Sequence, residues 1–186
     1  MVVVLKIFIF YYWKIYSMKE ILRRSLTGAV YIILLLSAVF LSSDAFDFLF
    51  MTFGLACLYE YKKLVRLKGY HIFAAYLALW WAFIYLVKDQ QVINILMLIT
   101  IVVDIFLLIN LFTKKPLVLN TPLKFIVGLF YIGGGCIFLT MIPYKNDAFA
   151  KLLIMGIFIL IWVNDSFAYL VGKSIGRTKL FPSVSP

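Results

Sequence analysis

The sequence predicts an all-α polytopic integral membrane protein of about six transmembrane helices, with its N-terminus cytoplasmic. Three observations carry that prediction: the apolar composition, the lengths of the apolar runs, and the side on which the cations fall. Of the 186 residues, 65% are hydrophobic and 14% charged, against roughly 45–50% and about 25% in soluble domains. Mean hydropathy is +1.05. A soluble fold of this size has no interior large enough for so much apolar surface, so the bilayer has to be the solvent. No run alternates apolar and polar with period two, which excludes a barrel and leaves helices.

Residues 1–17, MVVVLKIFIFYYWKIYS, are apolar and aromatic but broken by Lys6 and Lys14. The segment between those lysines is shorter than the ~20 residues a spanning helix needs. No small-residue cleavage site follows, which argues against a signal peptide. Residues 1–17 are therefore expected to be an extended start or an interfacial helix, with MKEILRRSLTG from Met18 as the natural beginning. Six apolar runs follow, at about Leu26–Leu41, Ala45–Tyr61, Tyr70–Val87, Val92–Phe112, Leu123–Ile142 and Ala148–Val171. The first two should form a helical hairpin around the acidic turn Ser42–Asp47. Pro116 and Pro122 bracket the linker between the fourth and fifth runs, and Pro143 opens the turn after the fifth, because proline cannot continue a helix.

Orientation follows from Lys and Arg. Lys19, Arg23, Arg24, Lys62, Lys63, Arg66, Lys68, Lys114, Lys115, Lys124, Lys173, Arg177 and Lys179 fall on one side; Lys88, Lys145 and Lys151 fall on the other, beside Asp44, Asp47, Asp89 and Asp147. Cytoplasmic loops carry the excess of cations, so the first side is cytoplasmic and includes the C-terminal stretch. The net charge of +10 lies in short clusters between apolar runs. That pattern suits anionic lipid headgroups and gives no basis for a nucleic-acid partner.

Inside the runs, several residues carry possible chemistry. Asp104 lies well within the fourth run, where a carboxylate costs at least about 2.5–3.5 kcal/mol; a structural bond to a neighbouring helix is expected ahead of an ion relay. Glu60 ends the second run beside Lys62, Lys63 and Arg66, and either pairs with them or faces a cytoplasmic site. His71 is the one histidine, which rules out His-based triads and multi-His metal sites on this chain. Gly128, Gly133, Gly134 and Gly135 lie mid-membrane, where close helix packing or a kink is expected ahead of phosphate binding. Asp44 and Asp47 are expected to form a solvated turn, and Cys57 and Cys136 to act as small hydrophobes.

The chemical end of the chain is Trp162–Pro186, WVNDSFAYLVGKSIGRTKLFPSVSP. Trp162, Asp165, Ala168, Tyr169 and Gly172 recur at spacings of three and four, which places them on one helix face. Asp165 stands near the cytoplasmic end of that helix, where the dipole disfavours an anion unless a metal such as Mg²⁺ or a cation offsets it. Lys173, Arg177 and Lys179 would meet phosphate oxygens, with Gly172 and Gly176 allowing close backbone approach.

Those residues, W-x-x-D-x-x-A-Y-x-x-G-x-x-x-G followed by F-P-S-V-S-P, resemble the segment leading into the catalytic region of phosphatidate cytidylyltransferases. KEILRRSLTGAVYIILLL is similar to the family's N-terminal lead-in, and the resemblance covers Met18–Pro186. It implies transfer from CTP to phosphatidate, giving CDP-diacylglycerol and diphosphate with Mg²⁺, in a homodimer at the cell (inner) membrane. It also implies that Asp165 and Lys173 are catalytic, with Asp165 at the metal, and that Arg177, Lys179, Ser183 and Ser185 bind the nucleotide. Phosphoryl transfer needs cation stabilisation of spreading charge more than covalent help, which agrees. The family's K-K-T-x-E-G continuation and H-G-G-x-x-D-R-x-D signature do not occur here. Residues 18–186 are thus expected to be the N-terminal and middle portion of such an enzyme, inactive by itself. A small membrane transporter, on the evidence of Asp104 and the glycines, and a noncatalytic membrane scaffold are the competing readings.

Overall fold

A computed structural model of the chain describes residues 26–112, 119–145 and 148–176. The extension 1–17 and the cations Lys19, Arg23, Arg24, Lys114 and Lys115 lie outside the described residues, as does Asp147. The six apolar runs are six helices: α1 (Leu26–Leu41), α2 (Ser43–Leu64), α3 (His71–Leu86), α4 (Gln90–Leu111), α5 (Thr121–Met141) and α6 (Lys151–Ser174). A two-residue antiparallel hairpin, β1 (Tyr144–Lys145) and β2 (Ala148–Phe149), joins α5 to α6. The fold is all-α, and α4, Thr121–Met141 and Lys151–Gly172 are each long and apolar enough to cross a membrane. Large apolar side chains such as Leu41, Leu64 and Leu152 point outward, as a lipid solvent requires.

Side chains set the helix starts. Ser42, with extended backbone, is the single residue between α1 and α2, and its hydroxyl accepts from the Ala45 N–H at 3.0 Å. Asp89 accepts from the Gln91 N–H at 2.8 Å at the start of α4, and Asn120 from the Leu123 N–H at 3.0 Å at the start of α5. Such caps satisfy N–H groups that the helix leaves orphaned.

α2 is the central helix, because it supplies both cores. Leu58 joins Ile72, Tyr76 and Trp80 of α3, Leu96 of α4, and Leu129 and Ile137 of α5. Phe46 and Phe50 join Leu35 and Val39 of α1 and Ile154 and Phe158 of α6. The glycines of α5 make the first core possible. A Cβ at Gly128 would lie 2.5 Å from the Tyr61 ring, one at Gly133 3.0 Å from the Tyr76 ring, and one at Gly134 2.5 Å from Thr100 Oγ1. The packing expectation therefore holds, and Gly135 is the member of that group left facing outward. The same stretch, Gly128–Gly134, is π-helical, as is the last turn of α3 at Ala82–Leu86. Each wide turn inserts a residue into the helix ladder and re-aims the side chains beyond it.

Two expectations fail. Asp104 is exposed on α4 and hydrogen-bonds to none of the described residues, since the inward stripe of that helix is Leu96, Thr100 and Val103. Asp47 does not belong to a solvated turn: it is 2% exposed. Cys57 and Cys136 are free thiols.

The end of α2 has a further feature. The Leu67 N–H bonds to the Lys62 carbonyl at 3.0 Å and the Arg66 N–H to the Lys63 carbonyl at 3.3 Å. This is a Schellman cap, with Arg66 at φ 53° in the position glycine usually fills. An L side chain there costs roughly 1 kcal/mol. Leu67 is buried in the first core and anchors the turn.

Candidate functional site

Helix alternation sorts the ends of the bundle. The end of α2 and the start of α5 lie together, the Tyr61 hydroxyl donating to the Lys124 carbonyl at 2.8 Å. The end of α6 belongs to the same side, because α6 starts from the hairpin at the opposite one. That common side is the cation-rich side of the sequence.

On it, α6 carries the sequence-predicted site residues. Its first half is held in the second core by Ile154 and Phe158, and the Trp162 indole stacks on the Phe158 ring at 6.2 Å between centroids. From Val163 onward every described side chain of the helix is exposed. Helical geometry is continuous to Ser174, so Trp162, Asp165, Ala168, Tyr169 and Gly172 do share a face. Asp165 is exposed, and no described residue bonds or pairs with it. The backbone of Lys173 lies eight residues further on, roughly 12 Å along the axis. Arg177, Lys179, Ser183 and Ser185 lie outside the described residues. Among the described residues, α6 supplies the helix on which Asp165 and the Lys173 backbone stand.

Nor do the described residues form a metal-binding group of three or more His, Cys, Asp or Glu. Of the predicted residues among them, only the Asp165 carboxylate could lend a hard cation an oxygen. They do not by themselves fit Mg²⁺.

Glu60 is exposed and forms no ion pair with its cationic neighbours. Those cations stand over rings instead: the Lys62 ammonium 4.5 Å from the Tyr70 centroid, and that of Lys63 4.3 Å from Tyr59. Such contacts are worth ~0.5–1 kcal/mol at exposed sites.

At the opposite end a cavity of about 360 Å³ is lined by Asp44, Asp47, Tyr85, Lys88 and Tyr144 among others. The Tyr144 hydroxyl donates to Asp47 Oδ2 at 2.7 Å, and Asp47 Oδ1 has no partner among the described residues. Burial, and then the carboxylate beside it, push the Tyr144 phenol above its usual range, so it remains a donor. The bond ties β1 to α2 across 97 residues, and no local pattern foretells it. Only Phe46 and Phe50, which share the buried face of α2 with Asp47, hinted that Asp47 turns inward.

Known proteins share this sequence pattern. The model of a family described as "Cytidylyltransferase family" matches residues 22–186. The phosphatidate cytidylyltransferase of Bacillus subtilis (strain 168) is 29% identical over 174 residues, covering 91% of this chain and 64% of the relative. That of Aquifex aeolicus (strain VF5) is 37% identical over 75 residues, 40% of this chain and 27% of the relative. That of Haemophilus influenzae is 42% identical over 53 residues, 28% of this chain and 18% of the relative. The chain therefore spans less than two thirds of the length of the curated relatives it matches. No solved structure matches it.

Proposed function

The chain belongs to the cytidylyltransferase family, and from that premise we propose that it serves phosphatidate cytidylyl transfer in phospholipid biosynthesis. A phosphate oxygen of phosphatidate attacks the α-phosphorus of CTP, the bond from that phosphorus to the β-phosphate oxygen breaks, and CDP-diacylglycerol and diphosphate result. The observation that carries the reading is the continuous family match over residues 22–186, which runs through α6 and its polar end. The carboxylate of Asp165, exposed and without a partner among the described residues, supports a site that this face of α6 helps to build.

In this reading Asp165 and Lys173 touch the reacting phosphates, and Arg177, Lys179, Ser183 and Ser185 hold the nucleotide. Mg²⁺ would supply charge neutralisation at the phosphates, with Asp165 as one oxygen donor beside ligands from outside the described residues. The protein would lie in the cell (inner) membrane with the α6 end cytoplasmic, where CTP is available, among anionic lipids. A homodimer is proposed with it, for which the exposed apolar face of α4 supplies a surface. The transporter reading loses its main support, since the glycines serve packing.

Membranes holding the chain are expected to retain α-labelled CTP, and Asp165→Ala to weaken that retention at least tenfold, about 1.4 kcal/mol. Scintillation counting of washed membranes reads it. Retention of neither CTP nor phosphatidate would overturn the proposal.

A further inference from the structure

The α2–α3 turn combines strain, charge and position in a way that packing alone does not explain. Arg66 is the one non-glycine residue with positive φ among the described residues. Its backbone N–H completes the Schellman cap, a task that glycine or asparagine would perform without the steric cost. Its exposed guanidinium pairs with no acid among the described residues, so no ion pair among them compensates. Residues kept in such conformations cluster at functional sites.

The surroundings identify what the guanidinium would meet. Lys62, Lys63, Arg66 and Lys68 against Glu60 leave the turn at four positive charges less one, or +3. Lys62 and Lys63 are steered over Tyr70 and Tyr59, and the bond from Tyr61 to the Lys124 carbonyl holds the start of α5 alongside. Leu64 is 82% exposed and Tyr70 73%. An outward leucine beside outward tyrosines is the pattern of a membrane interface, where aromatic rings sit at headgroup level. Arginine presents a planar fork of donors that matches phosphate oxygens.

We infer that Arg66 is a lipid-phosphate ligand: with the neighbouring lysines it captures the phosphomonoester headgroup of an anionic phospholipid at the bilayer surface. The inference rests on the cytidylyltransferase reading for the identity of that lipid as phosphatidate, the substrate, and it makes Arg66 a substrate-gathering residue on the α2–α3 turn.

The strain makes the test clean, because the informative variants should be more stable. In phosphatidylcholine nanodiscs doped with phosphatidate, without CTP, lipid retention by the purified full chain is read by native mass spectrometry. Arg66→Gly and Arg66→Asn are expected to raise Tm by roughly 2–4 °C and to lower phosphatidate retention about fivefold, with phosphatidylcholine retention unchanged. Arg66→Lys, which keeps charge and strain but loses the planar fork, should leave Tm unaltered and retain phosphatidate to a degree between the parent and Arg66→Gly. Unchanged phosphatidate retention in Arg66→Gly, an equal loss of phosphatidylcholine, or displacement of the lipid by millimolar inorganic phosphate would each overturn the assignment, the last by pointing to a soluble phosphate. Because CTP is absent, failure here leaves the nucleotide-retention test of the family reading untouched.

Discussion

Gly54→Val is expected to destabilise the protein by about 3 kcal/mol, at the upper end of overpacking costs. A Cβ at Gly54 would collide with the Tyr76 hydroxyl and ring. Tyr76 is wholly buried in the first core and donates to the Met51 carbonyl at 3.3 Å, so its ring cannot move aside without opening the contact between α2 and α3. Thermal unfolding in detergent, followed by circular dichroism, measures the loss. The contrasting substitution is Gly172→Ala on α6, where an added Cβ has nothing within 4 Å. Alanine is the better helix former by ~1 kcal/mol, so this variant should be as stable as the parent or more so. A fall in CTP retention in Gly172→Ala would then report backbone approach to a phosphate rather than damage to the fold.

Tyr144→Phe is expected to cost about 2 kcal/mol, the usual range for a hydrogen bond to a charged group. The hydroxyl is the donor to Asp47 Oδ2, and Oδ1 already lacks a partner among the described residues. Its removal leaves a buried carboxylate with no donor among them. Asp47→Leu combined with Tyr144→Phe should recover part of the loss, since replacing both polar groups removes the desolvation penalty along with the bond. A double-mutant cycle on Tm separates the coupling from the two single effects. Purely additive losses would show that the pair does not hold the β1–β2 hairpin to α2.

The helices were legible because their signals are local. Lipid-facing runs such as Val92–Phe112 announce themselves by length and apolarity, and the six helices fall where the six runs do. The packing role of Gly133 and Gly134 was also legible, since small residues in a spanning helix admit close neighbours. Other features were not, for identifiable reasons. Asp104 was expected to bond inward, but a helix face is chosen by its neighbours, and α4 turns Leu96, Thr100 and Val103 to them. Asp47 has the local sequence of a surface acid, and only Tyr144, 97 residues away, folds over it. The π turns at Ala82–Leu86 and Gly128–Gly134 have no composition that separates them from ordinary helix.

For the candidate site, the helical face carrying Asp165 could be read from spacings of three and four, and α6 runs unbroken through it. Sequence by itself determined the membrane class, the six helices, the clustering of cations at one set of helix ends and the kinship with cytidylyltransferases, because all of these reside in runs, counts and linear motifs. Tertiary structure decided which faces pack, that α2 serves both cores, that Asp47 is buried and Asp104 is not, and that Arg66 occupies a glycine position. Each of those depends on residues far apart in the chain or on backbone angles that carry no signature in composition.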